Sequence, residues 1–275
     1  MLKQILKSTF VVECVPLSYS MNIEKRTKLN QLLQYRPSGG LFFSSWLIKN
    51  GYSDQLMQQY RKSGWFSLLS KGVMYRTGDK LTSFAALSSY NSQLDNQFYV
   101  GAHSALELSG FNHYVPMGKP VLMIGHPKED KVPNWMKNPD FEYELKFFST
   151  KNFKTPQLAQ FNKGDYQVLA SVPEQAFLEC LLLAPNQYAY MDLFYIMEQF
   201  TTFRPEVVQE LLENTDNIKV KRLFLYMAQK AGHEWFGKLD RSKIQLGTGK
   251  QQLSAKGVYL SDYMITIPKE LYEYE

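Results

Sequence analysis

The chain has 275 residues, 44% hydrophobic and 21% charged, a globular composition that excludes wholesale disorder. The net charge is +5, and it is unevenly spread: residues 1–97 hold 12 Lys/Arg against 5 Asp/Glu, residues 98–275 hold 19 against 21. A basic head on a near-neutral body points to a module for nucleic acid or another anionic surface joined to a second domain. Two cysteines, Cys14 and Cys180, cannot build a disulfide framework or a four-cysteine zinc site, and read as buried thiols of a reducing compartment. No apolar run approaches the ~20 residues that span a bilayer.

Lys3 and Lys7 precede Phe10-Val11-Val12 in the manner of a signal peptide, but Glu13 and Pro16 interrupt the stretch. Met21 then opens a fluent helical pattern. Residues 1–20 therefore read as an extension ahead of the true start, or as a dispensable arm. From 21 to 85 the elements are compact. Ile23, Leu29, Leu32 and Leu33 predict a first helix, ended near Pro37-Ser38-Gly39-Gly40. A second covers 44–50 and stops at Gly51. Ser53 is a good N-cap for a third over 54–63, ended by Gly64. Apolar runs at 65–69 and 73–76, around the turn Ser70-Lys71-Gly72, predict a β-hairpin. Helix, helix, short glycine turn, helix and hairpin make a winged helix-turn-helix.

Residues 77–97 are rich in Ser, Asn and Gln and read as the boundary, with one short helix over 84–87. The second domain, 98–275, reads as mixed α+β. Strands are predicted at 98–101, 121–124, 143–148 and 264–267. Helices are predicted at 105–108, from Pro173 onward, and at 188–200, 205–213 and 218–230.

At about 100° per residue, Leu56 and Tyr60 of the third helix share one face, flanked by Met57 and Gln59. Asp54, Gln55, Gln58, Arg61 and Lys62 point away. A major groove admits such a helix, where Gln suits adenine, Arg suits guanine and Lys neutralises phosphate. The expected DNA contacts are Ser53, Gln55, Gln58, Arg61 and Lys62, with Lys71 at the hairpin tip and Arg76 and Arg36 on phosphates. A basic knot, Lys219, Lys221 and Arg222, opens the helix at 218–230 and suggests a second anionic contact in the C-terminal domain.

Signals for catalysis are weak. Gly247-Thr248-Gly249-Lys250 fails as a phosphate loop, because Ile244 stands where glycine is needed and Gln251 where Ser/Thr is needed. His103, His113, His126 and His233 show no metal-ligand spacing. Asp140, Glu142 and Glu144, with Lys146, resemble a metal-dependent nuclease strand, though a charge pair on an edge strand is the simpler reading. No catalytic residue, metal or cofactor is expected. A ligand-responsive transcription factor and a nuclease stay as alternatives.

The blocks Gly40-Leu41-Phe42, Trp46-Leu47, Gly51-Tyr52-Ser53, Leu56, Tyr60, Ser63-Gly64-Trp65 and Lys71-Gly72-Val73-Met74-Tyr75 resemble the N-terminal winged helix of AbiEi-type antitoxins. Gly101-Ala102-His103-Ser104-Ala105-Leu106-Glu107-Leu108-Ser109-Gly110 is similar to the small helix of that family's second domain, with Ser104 where the family has Thr. Lys219-Val220-Lys221-Arg222-Leu223-Phe224-Leu225, Leu246-Gly247-Thr248-Gly249-Lys250 and Ile265-Thr266-Ile267-Pro268 are similar to its C-terminal segments. The resemblance covers roughly 22–268 and leaves 1–20 outside. It implies a cytoplasmic antitoxin of a bacterial type IV toxin–antitoxin pair, linked to abortive phage infection. It implies that the winged helix binds double-stranded DNA, at inverted repeats in its own promoter, and represses the operon. It also implies that the C-terminal domain counters a nucleotidyltransferase-like toxin without a stable complex.

Overall fold

A computed structural model describes residues 28–111 and 118–275. The expectations for residues 1–20, Met21, Ile23 and His113 lie outside the described residues. The described chain falls into two units, 28–36 and 37–275. The first holds helix α1 (Lys28–Tyr35), in which Leu32 is buried.

The second unit opens with β1 (Leu41–Phe43), α2 (Ser44–Lys49), α3 (Asp54–Lys62), β2 (Phe66–Ser70) and β3 (Val73–Arg76). The three strands form an antiparallel sheet in the order β1-β3-β2. Strand β1 was not predicted: three consecutive buried apolar residues are too short a run to show a period. The hairpin turn is tighter than predicted. Ser70 pairs with Val73, leaving the two-residue loop Lys71-Gly72, with Gly72 at φ +79° and a bulge between Leu68 and Ser70. The Gly72 carbonyl accepts from Ser44 N–H at 2.9 Å, so the wing turn satisfies a free donor at the start of α2.

The Ser/Asn/Gln-rich segment forms α4 (Ser83–Leu94), three turns where a shorter helix was expected. Its polar side chains look like linker composition, but they serve the free edge of β1. Ser89 Oγ accepts from Leu41 N–H at 3.1 Å. The Gln93 amide accepts from Phe43 N–H at 3.0 Å and donates to the Leu41 carbonyl at 2.6 Å. An edge strand thus finds partners in side chains instead of a fourth strand.

Beyond α4 come β4 (Tyr99–Val100), α5 (Ala102–Leu108), β5 (Val121–His126), β6 (Glu144–Ser149), β7 (Leu158–Lys163) and β8 (Tyr166–Ser171). They build a mixed five-stranded sheet, β6-β5-β4-β8-β7, parallel at β5/β6 and β4/β8. The β7–β8 hairpin was missed in the sequence, since its first strand alternates poorly. Helices α6 (Pro173–Leu183), α7 (Tyr190–Glu198), α8 (Pro205–Asn214) and α9 (Ile218–Lys230) follow within about two residues of the predicted bounds. A small sheet of β9 (Gln251–Gln252), β10 (Val258–Leu260) and β11 (Ile265–Ile267), then α10 (Lys269–Glu273), complete the chain. The fold class is α+β, as predicted.

The core holds a fully buried carboxylate, Glu179 of α6, at 0% exposure. It accepts from Tyr99 Oη at 2.7 Å, Ala102 N–H at 2.8 Å, Gln175 Nε2 at 2.8 Å and Ser171 Oγ at 2.9 Å. Two glycines make the room. A Cβ on Gly125 would lie 2.4 Å from the Tyr99 ring, and one on Gly101 would lie 2.7 Å from Glu179 Oε2. Glu179 thereby ties β4, the start of α5, β8 and α6 together.

Candidate nucleic-acid interface

Local chemistry sets α3. Gly51 and Gly64 take φ of +80° and +76° and end the preceding and following turns. Ser53 Oγ accepts from Leu56 N–H at 3.2 Å, a conventional N-cap. Met57 (3% exposed) and Tyr60 (8%) form the buried seam. The Tyr60 ring lies 6.2 Å from Phe66 of β2, which lies 5.3 Å edge-on from Phe42 of β1. These contacts lock the helix onto the wing sheet with one face outward.

The seam is rotated by about 50° from the prediction, half of one residue step. Leu56 is only half-buried, and Gln59, expected beside the apolar face, is exposed. The aromatic contact of Tyr60 with Phe66 fixes the inward face, on which Met57 is also buried, and turns Gln59 out, a tertiary preference that helical spacing alone does not carry. Asp54, Gln55, Gln58 and Lys62 are exposed as expected, and so are Ser53 and the wing-tip Lys71. Arg61 and Arg76 are half-buried. Arg36 belongs to the first unit, half-buried, with its guanidinium 5.6 Å from the Tyr35 ring centroid.

The basic knot at 219–222 is corrected: it is no surface patch. Arg222 is at 0% exposure and Lys221 at 4%. Arg222 Nε donates to the Leu246 carbonyl at 2.9 Å, Nη1 to Gly249 at 2.7 Å and Met264 at 2.8 Å, and Nη2 to Gly247 at 3.3 Å. The Gly247-Thr248-Gly249 turn is therefore a carbonyl cradle for a guanidinium. Lys219 Nζ donates to the carbonyls of Leu182 at 3.1 Å and Ala184 at 2.6 Å, closing the end of α6. The cause is position: the first turn of α9 packs inward, so basic side chains find backbone oxygens instead of water.

The nuclease-like strand also has a structural explanation. Glu142 accepts from Ser83 N–H at 2.9 and 2.8 Å, holding the start of α4. Among the described residues no three His, Cys, Asp or Glu cluster as metal ligands. His103 Nδ1 lies 2.6 Å from Tyr188 Oη, and burial lowers the imidazole from 6.5 to about 4. A base lowered on folding contributes stability that is present above 6.5 and lost as pH falls toward 4. Thermal unfolding across that window should show this loss, and His103→Gln should flatten it. An unchanged acid limb in the variant would contradict the assignment.

A capped helix turned outward beside a two-residue wing is the build of a winged-helix transcriptional regulator. Sequence comparison identifies the family. The family model described as "Transcriptional regulator, AbiEi antitoxin N-terminal domain" matches residues 25–117. That described as "Transcriptional regulator, AbiEi antitoxin, Type IV TA system" matches 119–268. The chain belongs to the AbiEi antitoxin family of type IV toxin–antitoxin systems. Its fold is similar to the crystal structure of the Rv2827c protein from Mycobacterium tuberculosis, with a TM-score of 0.53 at 14% identity over 86% of this chain and 88% of that one. No curated protein matches the sequence. No helix among the described residues is long and apolar enough to cross a membrane.

Proposed function

We propose that this antitoxin is a DNA-binding autorepressor of its own operon, with a winged-helix domain over 21–85 and an antitoxin domain over 98–275. The observation that carries the reading is the outward face of α3, with Gln55, Gln58 and Lys62 exposed opposite the buried Met57–Tyr60 seam and Lys71 exposed at the wing tip. In this reading α3 enters a major groove, and Ser53 fixes where the helix starts. Lys71 holds a phosphate beside it, and Arg61, Lys62 and Arg76 add phosphate contacts. The second domain counters a nucleotidyltransferase-like toxin in the cytoplasm, without a stable complex, catalysis or a cofactor.

The test has two arms. A reporter driven by the DNA upstream of the gene should be repressed by the intact protein. Co-expression with the adjacent gene should restore growth that the adjacent gene product alone arrests. Repression without rescue would favour a ligand-responsive transcription factor. Failure of both would remove the proposal. In solution, four phosphates neutralised by Arg61, Lys62, Lys71 and Arg76 predict about a hundredfold weaker binding between 50 and 200 mM salt. Salt-independent binding would contradict that contact set.

A further inference from the structure

Side chains on α3 advance by about 100° per residue. Gln55, Gln58, Gln59 and Lys62 therefore fall within an arc of about 100°, opposite the midpoint of Met57 and Tyr60. All four are exposed, while Met57 and Tyr60 are buried. Arg61 lies about 60° outside the arc, toward Met57, half-buried, with its Nε shielded and without a hydrogen-bond partner. The outward stripe thus presents three primary amides and one ammonium and no apolar side chain, with the exposed Asp54 carboxylate about 40° outside its edge at the N-terminal end of the helix.

Resting on the DNA-binding reading above, we infer that this stripe recognises adenines, with Gln55, Gln58 and Gln59 as the base-reading residues and Lys62 on a phosphate. A primary amide carries a donor and an acceptor in one plane. The major-groove edge of adenine offers the complement, the N6 donor and the N7 acceptor. Guanine offers two acceptors there, which suit a guanidinium and leave an amide half-matched. Two residues of α3 suit guanine: Arg61 stands outside the stripe, and Lys62 lies at its C-terminal end, beyond the three amides.

Spacing limits how many bases are read. Gln55 and Gln59 are about 6 Å apart along the axis, at a rise of about 1.5 Å per residue. That is less than two base-pair steps of about 3.4 Å. The amides therefore address two or three consecutive base pairs in each half-site. Lys62, near the C-terminal end of the helix, lies beyond them toward the sugar–phosphate backbone.

The experiment uses the intact protein and a duplex from the DNA upstream of its gene, first footprinted, then carrying 7-deazaadenine at one adenine at a time. This base keeps Watson–Crick pairing and lacks only the N7 acceptor. The expected result is a window of two or three consecutive base pairs where each replacement weakens binding about tenfold. Gln58→Ala should remove the sensitivity at one of those positions while leaving the thermal midpoint unchanged. Binding that responds to 7-deazaguanine and not to 7-deazaadenine would overturn the inference in favour of Arg61 or Lys62 as the base reader. Binding that responds to neither would also overturn it, while leaving the DNA-binding function intact. No binding to any duplex would overturn the DNA-binding reading, and this inference with it.

Discussion

Replacing Arg222 by Met should lower the thermal midpoint of the intact protein by about 8 °C, following a loss of about 2–4 kcal/mol. Met is close in length and apolar, and exchanging a whole buried ionic network for apolar groups is often harmless. Here the partners cannot be exchanged. They are the backbone carbonyls of Leu246, Gly247, Gly249 and Met264; Leu246 and Met264 are half-buried and lose a partner that solvent replaces poorly, while the exposed Gly247 and Gly249 can turn to water. An unsatisfied buried acceptor costs about 1–3 kcal/mol, and local relaxation recovers part of the sum. Arg222→Lys should fall between, because an ammonium keeps the charge but not the planar fork that reaches four oxygens. Differential scanning calorimetry measures the effect directly. A midpoint within 2 °C of the parent for Arg222→Met would show that the cradle contributes little.

Glu179→Ala should be of similar size, about 3–5 kcal/mol, and for the mirror-image reason. It strands four buried donors: the Tyr99 hydroxyl, the Ala102 amide, the Ser171 hydroxyl and the Gln175 amide. Glu179→Gln keeps one acceptor oxygen but turns an amide donor toward groups that also donate, so it should lose about half as much. The pH dependence separates the two variants from simple packing loss. Burial raises the Glu179 carboxyl above its ordinary 4.5, and hydrogen bonds from Ala102, Gln175, Tyr99 and Ser171 only partly offset this. A carboxyl raised on folding contributes stability that is full below 4.5 and declines as pH climbs through the folded value. Glu179→Gln should remove that decline on the alkaline side of 4.5. His103 acts on the other limb, losing stability as pH falls toward about 4. Unfolding curves for Glu179→Gln with the parent's slope above 4.5 would contradict the account.

Features governed by neighbours in sequence were legible in advance. Ser53, Gly51 and Gly64 mark α3 through capping and left-handed backbone, both local effects. Helices α6 to α9 carry strong apolar spacing and appear close to where it placed them. What escaped depends on distant partners. Strand β1 and the true length of α4 define each other through Ser89 and Gln93, about fifty residues from the strand they serve. Gln59 is exposed because Tyr60 packs on Phe66 and Met57 is buried on the other side of the helix. Lys219, Lys221 and Arg222 read as a surface patch by charge alone, although Arg222 precedes the run Leu223-Phe224-Leu225 on an inward turn. The clearest overlooked signal was Glu179 itself. A lone carboxylate inside Phe177-Leu178-Glu179-Cys180-Leu181 is placed to be buried, and a buried charge must find donors.

The central claim is that α3 carries the operator contact. Binding of the intact Gln58→Ala/Arg61→Ala/Lys62→Ala protein to the DNA upstream of its gene tests it most directly, with fluorescence anisotropy as the readout. One base-reading contact, Gln58, and two phosphate contacts, Arg61 and Lys62, together predict a loss of about a hundredfold, roughly 3 kcal/mol, with the thermal midpoint unchanged. Parent-like affinity in the folded triple variant would contradict the account.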